Sequence, residues 1–113
     1  MEHALFPAPS PEFSRKRKEL TPETYSAFIA FSQQVFADGA LTGKMKDLIA
    51  IAVAHVTQCP YCIRAHTKRA LAKGATEQEI MEAIWVSAEM RAGAATAHST
   101  LAIDEMLQAA PKS

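Results

Sequence analysis

A chain of 113 residues is large enough for one domain with a single core, and hydrophobic residues make up 49% of it, so a packed globule is feasible. Twelve Lys and Arg balance 12 Asp and Glu, which removes the electrostatic case for a nucleic-acid or anionic-membrane partner. No apolar run reaches the ~20 residues that a membrane span needs.

The first residues, MEHALFPAPSPEF, lack the basic-then-apolar run of a secretory signal, so a cytoplasmic protein is expected. Pro7, Pro9 and Pro11 block regular structure through most of residues 1–20, which read as an N-terminal arm. Ser10-Pro11-Glu12 can still start a short helix. The basic run Arg15-Lys16-Arg17-Lys18 reads as a solvated face rather than a nucleic-acid patch. Residues 21–113 are then the domain.

A helix is expected from Thr21, with Thr21 as N-cap, Pro22 at the first helical position and Glu23 complementing the dipole. Phe28, Phe31 and Val35 recur at helical spacing, and Asp38-Gly39 closes the segment. Residues 43–58, GKMKDLIAIAVAHVTQ, are apolar from Leu48 to Val56 except at His55. Their length, and the alanines among the isoleucines and valines, favour a core or interface helix over a buried strand. The next helix starts at Pro60 with Cys59 as N-cap and runs to Lys73, where Gly74 ends it. Thr76-Glu77-Gln78-Glu79 is a capping box that opens a long helical pattern through Ile80, Ile84, Trp85 and Ala88. Gly93 is expected to interrupt it, leaving a last helix over 94–108. With no strand or hairpin signal, the fold class is all-α, with about five to six helices.

The stretch CPYCIRAH holds both cysteines of the chain. In a helix beginning at Pro60, Cys59, Cys62 and His66 follow one another at spacings of three and four, which places them on one side. The positive helix N-terminus favours a thiolate at Cys59. His66, one turn from Cys62, favours one there. The two sulfurs can also close a disulfide across the first turn, so one thiolate can attack an oxidant and the other resolve it. A zinc site built from Cys59, Cys62, His66 and His55 is the alternative, without a second Cys/His pair in a loop to support it. Two inert buried thiols are the blander reading.

Asp47 lies eight residues before His55 and projects to roughly the same side of its helix. It is either part of a proton relay, orienting His55 or a water, or an ordinary acid in the first turn of a helix. His98, among small residues, reads as a core or interface histidine. Trp85, Met81 and Met90 read as core, and Glu89 as solvated or at a subunit contact.

The run KDLIAIAVAHVTQCPYCIRAHTKRALAKGATEQEIMEAIWVSAEMRAGAATAH, Lys46 to His98, resembles the AhpD-like alkylhydroperoxidase branch of the carboxymuconolactone decarboxylase family. The resemblance implies a helical bundle with a CxxC pair, a following histidine and a carboxylate before it. Cys59, Cys62 and His66 match those positions. Asp47 stands where the family usually has Glu, one methylene shorter, so a water-bridged relay is expected. Some peroxidase members carry a histidine between the cysteines where this chain has Tyr61, and on our reading His55 takes over part of that role. The resemblance further implies a hydroperoxide or disulfide substrate and an external dithiol reductant, lipoyl or thioredoxin-like. No metal or other cofactor is expected. A homotrimer or homohexamer is implied as well. Lactone decarboxylases of the family lack the cysteine pair, which makes that chemistry the alternative.

Overall fold

The structure, a computed structural model, describes residues 5–109 and 111. Residues 1–4 of the expected arm lie outside the described residues. Five α-helices follow in order, with no strand among the described residues: α1 (Pro11–Leu20), α2 (Pro22–Phe36), α3 (Gly43–Thr57), α4 (Pro60–Ala72) and α5 (Glu77–Ala109).

The helix starts follow local chemistry. Pro occupies the first turn of α1, α2 and α4, where its missing N–H costs nothing. Thr42 caps α3 by accepting from the Met45 amide at 3.1 Å. At α5 the capping box forms in both directions: Glu79 N–H donates to Thr76 Oγ1 at 3.1 Å, and Thr76 N–H donates to Glu79 Oε1 at 2.9 Å. Thr21 departs from its expected role. It precedes α2, but its hydroxyl donates back to the Arg17 carbonyl at 3.1 Å and so finishes α1 instead.

Gly93 does not interrupt α5, which runs unbroken for 33 residues. A helix-interior glycine costs only about 1 kcal/mol relative to alanine. The alanines around Gly93 are the best helix formers and carry the helix through. The separate helix expected over 94–108 is therefore the second half of α5.

Helix α3 is the centre of the fold, packed against α4 and α5, which touch one another little. Leu48 and Ile51 of α3 meet Ala70 of α4, Ala75 of the following turn and Ile80 of α5, with Ala83 and Ile84 alongside. The core is small. On α3 it takes Leu48, Ile51 and Ala54, and leaves Ile49, Val53 and Val56 about half exposed. Trp85, Met81 and Met90, expected in the core, stand exposed on α5, as do Phe28 and Phe31 on α2. His98 is exposed too, its Nδ1 bonded to the Ala94 carbonyl at 2.9 Å. The chain is elongated, 70 × 34 × 33 Å, with a radius of gyration of 20.4 Å. A compact domain of this size has a radius near 13 Å.

Ile51 is fully buried where the three helices meet. Ile51→Ala is expected to lower unfolding stability by about 2–5 kcal/mol, read from urea denaturation. A loss below about 1 kcal/mol would show that α3 is not the packing centre.

Candidate functional site

The end of α3 sets up the motif. Gln58 adopts a left-handed conformation, φ 58°, and both Gln58 N–H and Cys59 N–H donate to the Ala54 carbonyl. The chain reverses within two residues and α4 begins at once. Arg91 of α5 donates to the Val56 carbonyl at 3.3 Å and so ties α5 to this end of α3.

Cys59 is the N-cap of α4, as its place before Pro60 suggested. Its Sγ accepts from the Cys62 backbone N–H at 3.2 Å. The two cysteines are joined as a disulfide, with their Cα atoms 5.3 Å apart. An amide N–H at a helix N-terminus stabilises negative charge, so the same contact would favour a thiolate at Cys59 in the reduced chain. His66 follows Cys62 by one turn on the same helix.

Asp47 of α3 is wholly buried. Its Oδ1 accepts from His66 Nδ1–H at 2.8 Å, and its Oδ2 accepts from Lys73 Nζ at 2.6 Å. The contact to His66 is direct, which corrects the expectation of a water bridge. The shorter aspartate reaches because α3 packs closely against α4. Phe36, the last residue of α2, stacks on the other surface of the imidazole, with ring centroids 4.8 Å apart. His66 is thus held by the Asp47 carboxylate and by an aromatic ring.

His55 does not join this group. Its Nδ1 bonds to the Ile51 carbonyl at 2.7 Å, one turn back on its own helix. The Asp47 oxygens bond His66 and Lys73, and no direct hydrogen bond joins Asp47 to His55. His55 instead lines a shallow cavity of about 360 Å³ with Gln58, Pro60, Ile63 and Arg64. Among the described residues, no three His, Cys, Asp or Glu side chains are grouped as a metal site needs.

Tyr61, between the cysteines, meets the arm. The Phe6 ring stands edge-on to it at 5.9 Å, and a cavity of about 320 Å³ lies between Tyr61 and Pro7, Pro9, Phe13 and Arg17. Lys73 is the member of the site that sequence reasoning missed. In the sequence it marks only the end of a helix, yet it lies seven residues after His66, two turns on along one face.

The sequence model of the carboxymuconolactone decarboxylase family matches residues 22–105. The chain belongs to this family. A protein of the cox locus of Paracoccus denitrificans is 65% identical over 77 residues, which span 68% of this chain and 69% of that one. A crystal structure from Methanobacterium thermoautotrophicum is similar at 37% identity and a TM-score of 0.69, covering 74% of this chain and 93% of that one. The apo structure of a carboxymuconolactone decarboxylase family protein of Legionella pneumophila is similar at 36% identity and a TM-score of 0.64, covering 67% and 68%. No helix among the described residues of this family member is long and apolar enough to cross a membrane.

The charge state of Asp47 gives the site a measurable signature. Burial pushes its carboxyl up, but the hydrogen bonds from Lys73 and His66, with their charges, bring it below the ordinary 3.8. The unfolded chain therefore takes up the proton first as pH falls. The stability supplied by ionised Asp47 is complete above the unfolded value and is lost as pH falls through the folded one. Unfolding free energy should drop from about pH 5 to about pH 3 more steeply in the wild type than in Asp47→Asn. Equal slopes in urea titrations of the two proteins would contradict the pairing.

Proposed function

We propose that this family member is a thiol-dependent hydroperoxide reductase, in which Cys59 and Cys62 cycle between dithiol and disulfide. The observation that carries the reading is the junction of two features on α4. A sulfur pair sits at a helix N-terminus, with Cys59 Sγ on the Cys62 amide, and the histidine one turn on is anchored by a buried aspartate. The first feature stabilises a thiolate and the second holds a base in place.

The cycle balances as follows. His66 takes a thiol proton, and the thiolate attacks one oxygen of the hydroperoxide. The O–O bond breaks, the alkoxide leaves and is protonated to the alcohol, and the attacking sulfur becomes a sulfenic acid. The second thiol displaces the sulfenic hydroxyl as water and closes the disulfide. An external dithiol, lipoyl or thioredoxin-like, reduces the pair by exchange and leaves as a disulfide itself. The same exchange run on a protein or small-molecule disulfide is the disulfide oxidoreductase form of the activity. We place the reaction in the cytoplasm, where such reductants are maintained.

We further propose that the working form is a homotrimer or homohexamer. Phe28 and Phe31 of α2, and Trp85, Leu101 and Leu107 of α5, are each more than 60% exposed in the single chain. Apolar surface of this extent marks a covered face. The family name supports a second reading, a lactone decarboxylase-like lyase on the same fold.

Cys59→Ser and Cys62→Ser are each expected to lower turnover of an organic hydroperoxide, with a reduced lipoyl dithiol as co-substrate, at least about a hundredfold. Turnover unchanged in both variants would sink the dithiol mechanism. A lyase activity that survives loss of both thiols would favour the second reading.

A further inference from the structure

We infer that Lys73 is a positioning residue: its ammonium, seated against Gly43 and bonded to Asp47, supplies the positive charge that the buried carboxylate requires, so that His66 stays uncharged and keeps Nε2 as an unprotonated nitrogen. Asp47 has no exposure to solvent, and its side chain has two polar partners among the described residues, His66 at 2.8 Å and Lys73 at 2.6 Å. A buried carboxylate needs a compensating cation. With Lys73 in place the requirement is met, and His66 needs only to donate its Nδ1 proton as a neutral imidazole. Without Lys73, the proton that neutralises the group has to come onto His66 or Asp47 itself, and an imidazolium already in contact is the better-paired state.

The seat of the ammonium is built into the backbone. Gly43 opens α3 and is buried. A Cβ there would lie 2.9 Å from Lys73 Nζ, and 3.3 Å from both the Phe36 carbonyl and Asp38 Oδ1. A side chain at this position would require the ammonium to shift within its seat. The other charged groups nearby are committed elsewhere. Asp38, in the α2–α3 connection, accepts the Gly43 amide at 2.6 Å and is exposed. Lys46 donates to the Ala37 carbonyl at 2.6 Å on the exposed side. From α2 the imidazole meets the uncharged Phe36, and α5 brings Ile80, Ala83 and Ile84 to the adjoining core. Cys59 and Cys62, on His66's own helix, do not titrate as the disulfide.

The inference rests on the dithiol reading only for its purpose, a histidine free to take a thiol proton. The test does not use turnover. In ¹⁵N-labelled oxidised protein near neutral pH, the ring nitrogens of His66 are expected to report the neutral Nδ1–H tautomer. Lys73→Met should convert them to the imidazolium pattern at the same pH. Lys73→Gln, which keeps a hydrogen-bond donor but removes the charge, should shift them the same way. A neutral His66 in a folded Lys73→Met variant, or an imidazolium in the wild type, overturns the inference. Should Lys73→Met fail to fold, a neutral His66 in Lys73→Gln overturns it equally. Hydroperoxide turnover can be present or absent in either case, so this inference and the proposed function fail separately.

Discussion

Asp47 carries its charge at a position with no solvent contact, and a buried carboxylate left without a partner destabilises a fold by several kcal/mol. That constraint dictates how α3 and α4 meet. The aspartate projects from the first half of α3, and its two oxygens are satisfied by His66 of α4 and by Lys73, the residue that caps the end of α4 two turns on. Any slip of one helix along the other would break both bonds together. The same clamp that fixes the helices fixes the imidazole, so the order of the site and the stability of the fold have one source. Phe36 adds to it by closing α2 over the ring.

The rest of the chain is arranged around this small, polar-centred core. Three helices supply a few buried aliphatic and alanine side chains, while α2 and the outer half of α5 keep large apolar residues on their surfaces. An extent of 70 Å along one axis leaves the distal part of α5 without a packing partner in its own chain. Its continuity through Gly93 gives it that reach, at about 1.5 Å per residue. Around the dithiol, in contrast, the reversal at Gln58, the N-terminus of α4 and the Asp47 clamp all come from one stretch of about thirty residues.

Features carried by neighbouring residues were legible in the sequence. Pro60 after Cys59, Gly74 after Lys73 and the Thr76–Glu79 box each mark a helix end within a turn, and each stands in the structure. The all-α class followed from them, as did the place of Cys59 at an N-cap. What failed was the inference of partners from helical facing alone. Asp47 and His55 share a side of α3, which suggested a relay, but a helical face does not say which neighbour covers which turn. The two real partners lie 19 and 26 residues away, and only the packing of α3 on α4 brings them in. Gly93 misleads for the opposite reason: one weak helix former does not outweigh the alanines that flank it. Trp85, Met81 and Met90 of α5 are exposed: helical periodicity marks an apolar face without saying what packs on it.

The central claim is that Asp47 acts on the dithiol through His66, as one unit rather than as two independent groups. A double-mutant cycle measures this directly, with the rate of disulfide formation from the reduced protein and an organic hydroperoxide as the readout for Asp47→Asn, His66→Gln and the combined variant. If the two act as a unit, the combined variant is no slower than the slower single variant. Losses that multiply, each substitution costing the same in the presence or absence of the other, would contradict the account.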